Sequence, residues 1–126
     1  DYAFPLPSEQ VKMVKDKGTL RVDVTPSIML RFVEMNLTKP VFKDVRVRQA
    51  LNYAVNKEAL VKVAFAGYAD VAEGIAPLSV DYAVKLGPWP YDPQKAKALL
   101  KEAGYPNGFE VELWSGYNHT TNARVL

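Results

Sequence analysis

The sequence of 126 residues contains no cysteine, which excludes disulfide bonds, thiolate nucleophiles and thiolate metal ligands. It contains one histidine, His119, and a single imidazole without thiolates is a poor basis for a metal site. No run of about 18 apolar residues occurs, so no membrane-spanning helix is predicted. Glycine-rich phosphate loops, nucleophile elbows and paired-histidine zinc motifs are also missing. We therefore expect no enzymatic activity, no metal and no cofactor.

The charges are balanced and dispersed along the chain. Sixteen lysines and arginines stand against fourteen aspartates and glutamates, which leaves a formal net charge of +2. Nucleic-acid-binding domains usually carry a basic stripe, and so small and scattered a surplus forms none. With 48% hydrophobic and 24% charged residues, the composition is typical of a globular domain. We expect one core and no nucleic-acid partner.

Four segments combine the apolar spacing of an amphipathic helix with an N-cap residue. The expected N-caps are Ser8, Asp44, Asn56 and Asp92. Glycines are expected to end three of these helices, at Gly18, Gly67 and Gly104. The side chains expected to face inward are Val11, Val14, Val47, Ala50, Leu51, Ala54, Leu60, Val61, Ala64, Phe65, Ala96, Leu99, Leu100 and Ala103.

Three further segments are predicted to be strands. Two of them alternate apolar and polar side chains, with the period of two that predicts a half-buried strand, and the longest carries Ile28, Leu30 and Phe32 on one face. They are residues 20–25, 28–37 and 109–114. Because they are interleaved with helices, the fold class predicted is α/β with one core. Residues 68–91 show no period and contain three prolines, so an extended surface crossing is expected there.

A polar loop over residues 115–121 holds the candidate ligand contacts Tyr117, Asn118 and His119. Hydrogen-bond donors in front of a helix N-terminus suit a carboxylate, and aromatic side chains commonly line small-ligand pockets. The alternative is a solvent-exposed loop histidine without a function, and the residues alone leave both open. Trp89, Tyr91 and Trp114 likewise either fill the edges of a core or line a pocket.

Residues 122–126 have the pattern of the first turn of a helix, and no stop signal follows. Only the first turn of this predicted helix therefore lies within the sequence. We expect the sequence to be a piece of a longer polypeptide.

Two runs resemble signatures of the solute-binding proteins of dipeptide, oligopeptide, glutathione and nickel importers. The first is FKDVRVRQALNYAVNK at residues 42–57, and the second is YDPQKAKALLKEAGY at residues 91–105. Residues 26–36 resemble the strand that precedes the first signature in this family. The resemblance keeps the family's order over nearly the whole chain. Residues 64–69 and 89–93 make it most similar to the glutathione-binding branch.

The resemblance implies an α/β lobe of a two-lobed periplasmic-binding-protein fold of type II. Residues 1–126 would be an incomplete part of the second lobe, with the first lobe and the rest of the second absent. The complete protein would bind glutathione or a di- or oligopeptide in the periplasm and deliver it to an ABC permease in the inner membrane. Its partners would be the ligand, the permease and the remaining lobe.

In peptide-binding members of the family, a basic side chain in the loop after the strand at 109–114 meets the ligand's carboxyl end. The resemblance implies this role for His119, with Asn118 and Tyr117 beside it. Little or no binding is expected from these residues alone, because a buried carboxylate needs paired donors. A nickel chelate or haem stays open as the ligand. A non-binding remnant of a split solute-binding protein, with a structural or interaction role, stays open as the alternative function.

Overall fold

A computed structural model describes residues 2–114 of the chain. Within that range it contains five helices and no β-strand. The helices are α1 (Ser8–Lys17), α2 (Pro40–Lys43), α3 (Val45–Ala54), α4 (Lys57–Phe65) and α5 (Pro93–Glu102). The other described residues form turns and extended backbone. None of the described helices is long and apolar enough to cross a membrane.

Three of the four predicted N-caps are confirmed by side-chain hydrogen bonds. The Asp44 carboxylate accepts from the Arg46 N–H at 2.8 Å. The Asn56 amide oxygen accepts from the Ala59 N–H, and the Asp92 carboxylate from the Lys95 N–H, both at 2.9 Å. Each bond satisfies an N–H that would otherwise lack a partner in the first turn.

The predicted cap of α1 is wrong by one residue. Pro7 occupies the N-cap position, its carbonyl accepts from the Gln10 N–H at 2.9 Å, and no side chain caps the helix. Ser8 is instead the first helical residue. Pro7 itself lies outside the helix, with a φ of −55° and a ψ of 134°.

The predicted glycine stops hold, with one shift. Gly18 has a φ of 65° and its N–H bonds to the Lys15 carbonyl at 3.1 Å. Helix α4 ends one residue earlier than expected, at Phe65, because Ala66 already has a left-handed φ of 51°. The Gly67 N–H then closes the turn on the Val61 carbonyl at 3.0 Å, in the manner of a Schellman motif.

Helices α3 and α5 pack side by side and antiparallel. At one end the Arg46 guanidinium donates to the Glu102 carbonyl at 2.9 Å, and at the other the Asp92 N–H donates to the Tyr53 carbonyl at 2.9 Å. The fully or almost fully buried apolar side chains of this pair are Val47, Ala50 and Ala96. Two alanines among them let the helix backbones approach closely.

Some of the side chains predicted to face inward are buried, and most of the others are half-buried. Val11 and Ala64 complete the small set of buried apolar residues in the described range. Half-buried are Val14, Leu51, Leu60, Val61, Phe65, Leu99, Leu100 and Ala103. Ala54 is exposed, which corrects its predicted inward position.

The short helix α2 was not predicted. Pro40 starts it, and the Arg48 guanidinium holds its end by donating to the carbonyls of Phe42 and Lys43, at 2.7 and 2.9 Å. The Phe42 ring meets the Phe109 ring edge to face, with centroids 6.1 Å apart. A four-residue helix is too short to show a period in sequence, and here tertiary contacts hold it.

The three predicted strands are not formed within residues 2–114. The segments at 20–25, 28–37 and 109–114 carry no regular secondary structure, and no ladder of backbone hydrogen bonds pairs them with described residues. Alternation in a sequence predicts which side chains share a face, whereas a strand also needs a neighbour. The α/β class therefore stays a prediction.

The segment at 68–91 is a surface crossing without helix or strand, as expected. Its middle closes on itself, because the Leu86 N–H bonds to the Glu73 carbonyl at 3.0 Å and Lys85 pairs with the Glu73 carboxylate at 3.1 Å. A Cβ on Gly74 would lie 2.9 Å from the Val84 carbonyl oxygen. The crossing is thus a closed loop that needs glycine at its base.

Candidate functional site

The predicted ligand contacts Tyr117, Asn118 and His119 lie outside the residues that the structure describes. Their assignment therefore stays a prediction. Within residues 2–114, a groove of about 260 Å³ lies between the start of α4 and residues 88–91. Lys57, Glu58, Trp89 and Tyr91 are among the residues that line it. The groove is smaller than the roughly 300–1,000 Å³ of small-molecule pockets, so we regard it as a minor subsite at most.

Trp89 is held in this groove by Tyr53. The two rings meet edge to face at a centroid distance of 5.1 Å, a geometry that the ring quadrupoles favour. The Lys95 ammonium also lies over the Tyr53 ring, 4.4 Å from its centroid, which is within cation–π range. The Tyr53 side chain raises the pKa of Lys95. Trp89 is still 41% exposed, so part of the indole is available to a ligand or to another part of the protein.

Lys57 lies at the floor of the same region. Its ammonium donates to the Asn52 carbonyl in the last turn of α3 at 3.0 Å, and to the Trp89 carbonyl at 3.4 Å. Burial lowers the pKa of Lys57, because desolvation disfavours the charged form. Since the ammonium already donates to two carbonyls, its main role is to join α3, α4 and the segment before α5.

Sequence analysis missed Lys57, although a signal was present. Lys57 is the first residue of α4, and a cation at a helix N-terminus opposes the helix dipole. The structure resolves the conflict by directing the ammonium to the C-terminal end of the preceding helix, where a cation is favoured. A lysine at the first position of a predicted helix can therefore indicate a contact with another part of the fold.

Asp44 and Arg46 form the strongest polar cluster of the described residues. The Arg46 guanidinium contacts both carboxylate oxygens, at 3.1, 3.2 and 2.6 Å for three N–O pairs. The side-chain hydrogen bond from Arg46, followed by the one from its backbone N–H, lowers the pKa of Asp44. The Asp44 carboxylate orients the Arg46 guanidinium. Arg46 then joins α3 to α5, because it also donates to the Glu102 carbonyl.

The remaining candidates are separated by the structure. Trp89 and Tyr91 line the groove, whereas Trp114 is 87% exposed. Glu110 and Glu112 are both exposed, as the solvated side of an extended segment would be. Among residues 2–114, no group of three or more histidine, aspartate or glutamate side chains is arranged to hold a metal.

A sequence model described as bacterial extracellular solute-binding proteins, family 5 Middle, matches residues 1–125. The chain belongs to this family. The resemblance found in residues 42–57 and 91–105 is thereby confirmed. The family is named for binding solutes outside the cell.

Family 5 relatives with high identity carry a specific name. The chain is 56% identical over 125 residues to the glutathione-binding protein GsiB of Pectobacterium atrosepticum, and 54% identical over 125 residues to that of Escherichia coli strain K12. In both cases the match covers 99% of this chain and 24% of the relative. The chain thus spans about a quarter of the length of these curated relatives, and its similarity to the glutathione-binding branch is confirmed.

A solved family 5 structure matches the fold. The ABC transporter-associated periplasmic binding protein DppA from Helicobacter pylori, in complex with the peptide STSA, superposes with a TM-score of 0.75 at 32% sequence identity. The match covers 81% of this chain and 20% of that protein. The helical arrangement described above is therefore shared with part of a periplasmic binding protein.

Proposed function

We propose that the chain is part of the substrate-binding component of an ABC importer, and that the complete protein binds glutathione or another short peptide. The observation that carries this proposal is the 56% identity, over 125 residues, to a glutathione-binding protein. The peptide STSA in the DppA complex supports the same ligand class. In this proposal the protein binds and presents its ligand without transforming it.

The chain is assigned to one α/β lobe of a two-lobed binding protein, as a part of the second lobe. This is supported by the DppA match over 20% of that protein and by the segments at 20–25, 28–37 and 109–114, whose sequences predict strands. Ligand binding would then need the remaining lobe, because a peptide enclosed between two lobes takes contacts from both. The complete protein would work in the periplasm with an ABC permease of the inner membrane.

Within the lobe, we assign the ligand's carboxyl end to His119, with Asn118 and Tyr117 beside it. An imidazole and an amide supply the donors that a buried carboxylate requires. The groove at Trp89 is not assigned this role, because the Lys57 ammonium there already donates to the carbonyls of Asn52 and Trp89.

The test is calorimetric titration of the complete protein with reduced glutathione and, separately, with a pool of di- and tripeptides. His119→Ala is compared with Lys97→Ala, which removes an exposed cation from α5. We expect saturable binding that His119→Ala weakens about tenfold or more, as for loss of a charge-assisted hydrogen bond, and that Lys97→Ala leaves unchanged. If His119→Ala leaves the affinity unchanged, His119 does not contact the ligand. Binding to neither pool contradicts the peptide assignment and favours a nickel chelate, haem or a non-binding remnant.

A further inference from the structure

Residues 2–114 contain four asparagines, and the structure separates one of them from the other three. The side-chain amides of Asn36, Asn52 and Asn56 each share a hydrogen bond of 2.9–3.0 Å with a backbone group two to four residues away. Asn107 is exposed and makes no such bond within the described part of the chain. Its carboxamide is therefore free to rotate toward its own backbone.

Asn107 also differs from the other three in being followed by glycine. The backbone nitrogen of the following residue can attack the side-chain carbonyl carbon, Cγ, of an asparagine, and a side chain on that residue obstructs the approach. Gly108 has no Cβ and offers no such obstruction. The residues that follow the other three asparagines are larger, namely Leu37, Tyr53 and Lys57. Sequence and structure thus single out the same asparagine.

A turn over residues 105–108 holds the two reacting groups. The Gly108 N–H donates to the Tyr105 carbonyl at 3.1 Å, and Pro106 takes the second position, where its fixed φ favours a turn. While this bond is formed, the Gly108 nitrogen is engaged with Tyr105 and is not free to attack Asn107. Exposed turns open locally at little cost in free energy, and opening releases the nitrogen.

We propose that Asn107 is a site of spontaneous deamidation, and that opening of the turn over residues 105–108 sets its rate. The Gly108 nitrogen bonds to Cγ of Asn107 and gives up its proton to water. The bond from Cγ to Nδ2 breaks, and Nδ2 takes up a proton and leaves as ammonia. Water then opens the resulting cyclic succinimide at either of its carbonyl carbons, which gives aspartate or isoaspartate. Water is the sole co-reactant, and no oxidation or reduction occurs.

Both products add a negative charge, and isoaspartate also lengthens the backbone by a methylene group. The added methylene lies just before Phe109. The Phe109 ring meets the Tyr105 ring edge to face at a centroid distance of 5.3 Å, and the Phe42 ring at 6.1 Å. Since the turn connects Tyr105 to Phe109, a longer backbone there displaces the rings relative to each other. The isoaspartate form should therefore be less stable than the aspartate form.

The first test incubates the complete protein, without ligand, beside a synthetic peptide of residues 102–110 under the same conditions. Peptide mapping by mass spectrometry detects deamidation as a gain of about 1 Da. We expect conversion at Asn107 that is about tenfold or more slower than in the peptide, because the turn must open first. The proposal is overturned if Asn107 is unmodified after about 100 half-lives of the peptide, or if Asn36, Asn52 or Asn56 converts before it.

The second test changes the turn itself. Pro106→Ala loosens the turn and should speed conversion of Asn107 about threefold in the protein, with no change when the same substitution is made in the peptide. Pro26→Ala is the matched control, because Pro26 is also an exposed proline and lies outside the turn. Its rate should equal that of the unaltered protein. Equal rates for Pro106→Ala and Pro26→Ala would show that turn opening does not set the rate.

The third test measures the consequence for the fold. The isoaspartate form, separated by ion exchange from the incubated protein, is compared with the variant Asn107→Asp, which has the same charge and an unaltered backbone. We expect the isoaspartate form to have a Tm lower by about 2 °C or more. Equal Tm values would contradict a displacement of Phe109. Because none of these measurements uses a ligand, their failure is distinct from a failure to bind glutathione.

Discussion

Helices α3 and α5 and the extended segment at 20–37 come from one sequence but depend on their surroundings in opposite ways. The two helices close their backbone hydrogen bonds internally and bury Val47, Ala50 and Ala96 against each other. The segment at 20–37 forms no ladder of backbone hydrogen bonds with described residues and exposes most of its apolar side chains. A helix satisfies its peptide groups within one segment, whereas a strand must find them in another. Helices can therefore be complete in a stretch of chain whose predicted strands have no partner among the described residues.

The largest loss of stability is expected from a charge placed in the interface between α3 and α5. Val47 is 0% exposed, so Val47→Asp should lower the free energy of unfolding by about 3 kcal/mol or more, because an unpaired carboxylate would be buried. Urea denaturation followed by circular dichroism measures this change. Val63→Asp is the matched control, since Val63 lies in α4 and is 62% exposed. Equal losses in the two variants would contradict a buried α3–α5 interface.

A smaller effect is expected where a helix depends on its own cap. Asn56→Ala removes the acceptor of the Ala59 N–H and should cost about 1 kcal/mol. Asn56→Ser keeps a side-chain oxygen at the same place and should stay close to the unaltered chain. The helical circular dichroism signal and the urea midpoint are the measurements. A loss as large for serine as for alanine would show that Asn56 acts through something other than capping.

The smallest expected effect concerns pH at the start of α3. The pKa of Asp44 is lowered from 3.8 by its hydrogen bonds from Arg46. A carboxyl group whose pKa is lower when folded contributes stability above its unfolded pKa, and loses it as the pH falls through the folded value. Helicity should therefore decline slightly as the pH is lowered below about 3.8, and Asp44→Asn should flatten this decline.

Asp23→Asn provides the control for that titration. Asp23 pairs with Arg21 in the extended segment, outside any helix of residues 2–114. Its replacement should therefore leave the acid part of the helical profile unchanged. If Asp23→Asn flattened the profile as much as Asp44→Asn, the decline could not be assigned to the cap of α3.

Local signals predicted the helices well, and for a physical reason. Asp44, Asn56 and Asp92 cap through bonds that reach only two or three residues along the chain, so their neighbours in sequence are enough to predict them. The error at Ser8 has an equally local cause, since Pro7 takes the cap position. Helix α2 and Lys57 escaped prediction because their partners, at Arg48 and Trp89, are set by packing.

In the candidate site, too, some features could be predicted from local sequence and others depend on packing. From the sequence, Trp89 and Tyr91 could either fill the edge of a core or line a pocket, and in the structure both line a groove. That Tyr53 would orient the indole and that Lys57 would lie beneath it could not be predicted, because these contacts depend on where α3 ends relative to the start of α5. The assignment of Tyr117, Asn118 and His119 stays a prediction to be tested by titration.

The sequence was enough to predict the family, from two runs at residues 42–57 and 91–105, and three of the four helix caps. The caps were predictable because they depend on neighbours within about one helical turn. The sequence did not predict the antiparallel packing of α3 on α5, the hydrogen bond from Arg46 to the Glu102 carbonyl or the loop closed at Glu73. Each of these joins residues far apart in the chain, and their encounter depends on the whole arrangement of elements and not on any local preference.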